Sequence, residues 1–228
     1  MYQGSEALQR SARAVAAVLL LCTGASRLPA QSVEQRRALD AFRDSLAAVT
    51  DSSVLAGQES RLLTQARKNR NDAFLHLRLG HLALRQADVG GSSHFDDAAS
   101  EFKWSAELAP QWPYAWYGLG LSEFALGARA QERQDAGATL AHDAWARASE
   151  AFGRAAALEP GLASRLEELA RQALRARAQA RAAVVRDALL RAARDARGQR
   201  EGRLILALGR IQREMGDTGA RASFAAYL

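Results

Sequence analysis

Cysteine, lysine, methionine and proline are nearly missing from this 228-residue chain, and each shortage closes an option. The one cysteine, Cys22, lies near the N-terminus. A chain cut after residue 30 would hold no thiol, which excludes disulfides and thiolate metal sites and leaves packing alone to hold the fold. Four prolines and few β-branched residues leave long stretches with nothing to interrupt a helix, so the sequence reads as all-α. Lysine is reduced to Lys68 and Lys103 against 29 arginines, a ratio that reads as a GC-rich codon habit, not as a phosphate-binding device. The net charge of +6 is a mild excess. No apolar run approaches the roughly 20 residues that a membrane-spanning helix needs.

Reaction chemistry is missing too. The sequence has no Ser/His/Asp or Cys/His set, no glycine-rich phosphate loop and no H-E-x-x-H, so no enzyme, catalytic residue or cofactor is expected. His94, Asp96 and Asp97 lie beside a glycine-containing loop, but the two aspartates read more simply as caps of the following helix. His76 and His81 are five apart and would not face each other as a helical metal pair does. No metal site is therefore expected.

Residues 1–30 stand apart from the rest. Arg10 and Arg13 precede an apolar run from Ala14 to Leu21, and the segment closes on Leu28-Pro29-Ala30. That order is the pattern of a secretory signal, with cleavage after Ala30 or, as the other site, after Ala25. Leu21 stands where a bacterial lipobox would need a small residue before Cys22. The expected location is outside the cytoplasm, in the periplasm or cell envelope of a bacterium.

Beyond the signal, the pattern Ala38, Ala41, Phe42, Leu46, Val49 is helical, and Thr50 to Ser53 interrupt it while offering caps for a second helix to about Lys68. Residues 31–70 thus form an N-terminal helical segment. Helices follow from Ala73 to about Gln86, Phe95 to Leu108, Pro113 to about Ala128, and Leu140 to Leu158, with a long loop expected at 88–93 and a loop or helical extension over 131–139. One long helix is read through 165–197, and Gly198 to Gly202 mark the break before a last helical unit.

Within this order one phrase occurs twice. Ala98, Phe102, Ser105 and Pro110 recur fifty positions later as Ala148, Phe152, Ala155 and Pro160, and Trp116, Leu119 and Gly120 lie between the copies. The pair of A-x3-F-x7-P phrases flanking W-x2-L-G resembles the tetratricopeptide repeat (TPR) family. The resemblance implies a right-handed α-α solenoid of helix hairpins over residues 71–228, in units of about 73–110, 113–160, 163–200 and 203–228. Gly120 costs helix stability in mid-helix. Its presence predicts a neighbouring helix that leaves no room for a Cβ, with Trp116 and Phe152 as packing residues.

In proteins resembling this family, the helix-A residues off the packing face line a concave groove. Here they are Phe74, Leu77, His81 and Leu84 in the first repeat and Tyr114, Tyr117, Leu121 and Phe124 in the second. An aromatic stripe of this kind suits an apolar helix or extended peptide. Two outcomes are open: an accessible groove, or one filled from within by residues 127–147 or the long third-unit helix. The expected function is an exported scaffold binding a protein or peptide partner. The alternatives are an anionic-membrane or polyanion binder using the arginine-rich helix 165–197, and the repeat region of a larger exported protein, suggested by the ending at Tyr227-Leu228 inside a helix. Nucleic acid is not expected, because the arginines of 165–197 fall all around the helix and no aromatics interleave them. Membrane association is secondary.

Overall fold

The computed structural model describes residues 31–228 apart from 92, 134–136 and 197; residues 1–30, read above as a secretory signal, and Cys22 within them lie outside the described residues. The chain is all-α. Among the described residues the helices are α1 Val33–Ala47, α2 Ser52–Lys68, α3 Ala73–Gly90, α4 His94–Leu108, α5 Pro113–Gln131, α6 Gly137–Leu158, α7 Ala163–Arg175, α8 Gln179–Asp195, α9 Gln199–Met215 and α10 Ala220–Tyr227, with a short 3₁₀ turn at Pro160–Leu162 before α7.

The helix starts are set by local chemistry. Ser32 and Gln35 form a reciprocal capping box on α1, with Oγ of Ser32 accepting from the Gln35 N–H at 3.1 Å and the Ser32 N–H donating to Oε1 of Gln35 at 3.0 Å. Asp51 caps α2 through the Ser53 N–H at 2.8 Å. Asp72 caps α3 through the N–H groups of Phe74 and Leu75 at 3.0 and 3.1 Å. Pro113 opens α5, where its missing N–H costs nothing.

Three expectations are corrected. The segment 88–93 is not a long loop: α3 runs on to Gly90, and α4 follows after a short turn. Asp96 and Asp97 lie in the first turn of α4 without capping it; the N-cap position is Ser93. The single helix through 165–197 is two helices. α7 ends where Arg177 takes a left-handed φ of 57°. There the Ala178 N–H reaches back to the Ala173 carbonyl at 2.8 Å and the Arg177 N–H to Leu174 at 2.9 Å. These are the bonds of a Schellman turn, made with an arginine where glycine is usual. The turn lets α8 fold back against α6, while α7 packs on α8 and α9.

Consecutive hairpins α3–α4 and α5–α6 interlock through phenyl rings laid on glycines. A Cβ on Gly80 would lie 2.8 Å from the Phe102 ring, and one on Gly118 only 2.3 Å from the same ring. Phe102 of α4 is thus held between α3 and α5. The close approach expected at Gly120 is present: its Cβ would lie 2.4 Å from Phe152 of α6. In α9–α10, Gly209 and Phe224 repeat the arrangement less tightly, at 3.0 Å. The Ser105 hydroxyl adds a bond to the Ala73 carbonyl at 2.8 Å, tying α4 to the start of α3.

Helix α1 does not simply precede the array. Its Leu39 is fully buried in one cluster with Leu77, Phe102 and Ala115, so α1 lies against α3 and reaches toward α5. Arginines fasten both ends. Arg85 of α3 donates to the carbonyls of Ala47, the last residue of α1, and of Val49 just beyond it, at 2.8–3.2 Å, and Nη1 of Arg36 meets Oε2 of Glu159 at 3.1 Å.

A methyl group on Gly120 has nowhere to go, so Gly120→Ala should cost about 1–3 kcal/mol of stability. Phe152→Leu in the same chain should restore part of that loss. Gly57, in exposed α2, meets nothing within 4 Å. Gly57→Ala should therefore gain about 0.5–1 kcal/mol. Urea unfolding of the four chains checks this; a Gly120→Ala chain as stable as the native protein would show that the Phe152 ring yields freely.

Candidate functional site

Three of the eight stripe residues are buried and five are half-buried. Leu77 is fully buried and His81 and Tyr117 nearly so; Phe74, Leu84, Tyr114, Leu121 and Phe124 are half-buried. The first-repeat part lies beneath α1, with Leu39 against Leu77 in the same cluster and the Arg78 guanidinium 4.6 Å from the centre of the Phe42 ring. On the second-repeat part, Arg165 of α7 stands 5.9 Å from the Tyr114 ring centre, and Tyr117 shares a cluster with Leu162 and Leu166. Phe124 and Tyr117 both pack near Phe152, with ring centres 6.2 and 5.8 Å away. The stripe therefore packs against the core, with α1 beside its first-repeat part and α7 beside Tyr114 and Tyr117.

An open concavity lies elsewhere, between α4 and α6 with α5 as its floor. Its volume is about 510 Å³. Leu119, Leu126 and Trp116 of α5 form the floor, with Ala99 and Ala151 beside them. Lys103 and Glu107 stand on the α4 wall, and Arg147, Glu150 and Arg154 on the α6 wall. The pattern arises because α4 and α6 each turn a small-residue face toward α5 and leave their polar residues at the rim.

Ordering of the rim is uneven. Glu123 is buried, and Arg147 grips it with two parallel bonds of 2.8 and 2.9 Å. Hydrogen bonding to that carboxylate pushes the Arg147 pKa above its ordinary value. Trp116 donates its indole N–H to the Pro110 carbonyl at 2.9 Å, and the Arg154 guanidinium lies 4.5 Å from the ring centre. Arg154 also meets Glu150 at 2.7 Å, while Lys103 and Glu107 are 4.0 Å apart and mostly exposed. The cleft thus has a buried carboxylate gripped by an exposed arginine, an anchored aromatic floor, and outer charges of both signs free to re-pair.

Trp116 was legible as a packing residue, but its exposed face was not. Lys103–Glu107 and Glu150–Arg154 are ordinary i,i+4 helix pairs, and nothing in sequence separates such pairs from any solvated helix surface. The one available signal is that both pairs sit beside the phenylalanines of the repeated phrase.

Among the described residues no group of three His, Cys, Asp or Glu side chains could hold a metal ion. His76 is fully engaged, with Nδ1 against Glu101 at 2.6 Å, Nε2 against the Arg70 carbonyl at 2.8 Å, and its ring stacked on Trp104 at 4.4 Å. No helix among the described residues is long and apolar enough to cross a membrane.

His81 is the strained member of the stripe. Its Nε2 is buried without a hydrogen-bond partner, and its ring lies edge-on to Phe102 at 5.0 Å. Burial, reinforced by the nearby Arg43 charge, pushes its pKa down to about 3. Unfolding returns the imidazole toward its ordinary value near 6.5. Between those two values the unfolded chain binds the extra proton, so the stability from a neutral His81 is complete above about 6.5 and drains away as pH falls toward about 3. A His81→Leu chain lacks this loss. In urea unfolding it should therefore gain on the native protein below pH 6.5, by up to about 1.4 kcal/mol per pH unit. A constant difference between the two chains from pH 7.5 to 4 would show that His81 titrates alike in both states. No family model matches the chain, and comparison with curated proteins and with solved structures likewise finds no match, so a functional reading has to rest on this geometry.

Proposed function

We propose that this chain is an exported TPR-like scaffold without catalytic activity of its own, and that it binds an amphipathic segment of a protein partner in the α4–α6 cleft. The observation that carries the reading is the cleft itself: an open concavity of about 510 Å³ with an apolar floor and rims of both charge signs. The repeated A-x3-F-x7-P phrase and the phenyl-on-glycine contacts support the solenoid reading, because the same device closes the hairpins α3–α4, α5–α6 and α9–α10 and, through Phe102 on Gly118, joins the first of them to the second. The signal-like pattern of residues 1–30 supports export.

The cleft is preferred to the stripe as the docking surface because the stripe residues pack against the protein's own core. An apolar floor gives area to bury, and mixed rim charges give register and selectivity. The polyanion reading of 165–197 is weakened because Arg171, Arg175 and Arg186 each face a carboxylate.

Lys103→Glu with Arg154→Glu reverses two exposed rim charges and leaves the Glu123–Arg147 pair alone. The doubly changed chain should keep its helical circular dichroism and hold a partner captured from envelope extract at least about ten-fold more weakly than the native chain. Equal retention of the same proteins by both chains would remove the cleft as the docking surface.

A further inference from the structure

Arginines from distant parts of the sequence converge on a second cavity, at the far end of α6. Arg36 of α1 and Arg200 and Arg203 of α9 line it together with Gln111, Glu159 and Pro160, around a volume of about 530 Å³. Glu159 supplies the carboxylate on this wall, and Arg36 already takes it at 3.1 Å. The last carbonyls of α6 contribute roughly half a negative charge more. Three guanidinium charges thus face roughly one and a half negative ones.

The imbalance is sharpened by position. Arg200 stands in the opening turn of α9 and Arg203 one turn on, toward the end of the helix where a cation is disfavoured. Neither is paired with a carboxylate of the described residues. The arginines that join helices elsewhere are used differently: Arg147 faces Glu123, Arg171 faces Glu214 and Arg186 faces Asp217. Arg36 is meanwhile held in place by Glu159, so one wall of the cavity is set before any ligand arrives.

We propose that this cavity binds a phosphate-bearing anion through Arg36, Arg200 and Arg203. Guanidinium forks match the oxygens of phosphate and carboxylate alike. A carboxylate offers two oxygens and one charge, however, whereas a phosphate offers three or four oxygens and a charge near the uncompensated excess. Gln111 adds an amide at the rim, and the volume leaves room for the group that carries the phosphate. Ligation joins α1 to α9, so the bound form is the more stable one.

Thermal unfolding of the full chain tests this, with inorganic phosphate compared against sodium chloride at matched ionic strength. A second arm measures binding to phosphatidylglycerol vesicles against phosphatidylcholine vesicles. The native chain should show a saturable rise in Tm with phosphate, or binding to the anionic vesicles. Either response should be at least ten-fold weaker in Arg200→Gln/Arg203→Gln and retained in Arg61→Gln/Arg67→Gln, which removes the same charge from α2. A phosphate response without vesicle binding assigns a soluble phosphate compound, and vesicle binding alone assigns a lipid headgroup. Should the double variant lose helicity, Arg203→Gln alone is read in the same way. No response in either arm overturns the proposal, as does a response equal in the native and Arg200/Arg203 chains or lost equally in the α2 control.

Discussion

The contact on which the rest of the structure depends is a phenyl ring laid against a glycine backbone. Two helices ordinarily keep their axes 8–10 Å apart because side chains fill the space between them. Removing the Cβ at Gly80, Gly118 and Gly120 lets a ring lie where backbone and side chain would otherwise collide. Phe102 meets two of these glycines at once, so a single side chain fixes α4 relative to both α3 and α5. Phe152 does the same for α6 on α5. Because Lys103 follows Phe102 and Ala151 precedes Phe152, the two rings also set how far apart the walls of the open cleft stand. Core packing and cleft width are consequences of the same contacts.

Arginine carries the second layer of organisation. Burying a carboxylate is expensive unless a cation with good geometry meets it, and the planar guanidinium supplies two parallel bonds from one group. Among the described residues Glu123 and Glu167 are the buried carboxylates. Arg147 holds the first, and Arg171 and Arg210 converge on the second from α7 and α9. Arg85 and Arg36 fasten the ends of α1. A composition that reads in sequence as a genomic bias is therefore used in the fold as a set of ties between helices, which the few apolar contacts of an alanine-rich core leave room for.

The sequence was most legible where one residue has no alternative use. Glycine in mid-helix announces a close approach, and Gly120 meets Phe152 accordingly. Asp51 and Asp72 announce helix starts, and both cap. The turn at Arg177 announced nothing, because Ala-Arg-Ala is good helix sequence. Its break is imposed by tertiary packing, which places α8 against α6 and accepts an arginine in a left-handed conformation. The stripe of Tyr114, Tyr117, Leu121 and Phe124 was legible as a shared face, with an open groove and one filled from within both left open. Periodicity reports which residues point together and is silent on which distant helix arrives to cover them. The cleft was the least legible, since its walls are i,i+4 charge pairs found on any exposed helix.

Packing α1 beside the first-repeat part of the stripe has a cost that explains how α1 is held. The packing leaves Nε2 of His81 without a partner and brings the Arg43 charge toward a buried imidazole, both of which oppose closure. Against this, α1 itself buries only Leu39 and Leu46 completely. Two leucines are a modest grip for a 15-residue helix, and the ties at its two ends by Arg36 and Arg85 supply orientation that the apolar contacts do not. The Arg36 tie runs to Glu159, on the wall of the arginine-lined cavity. The same arginine that orients α1 is therefore one of the three that line the cavity.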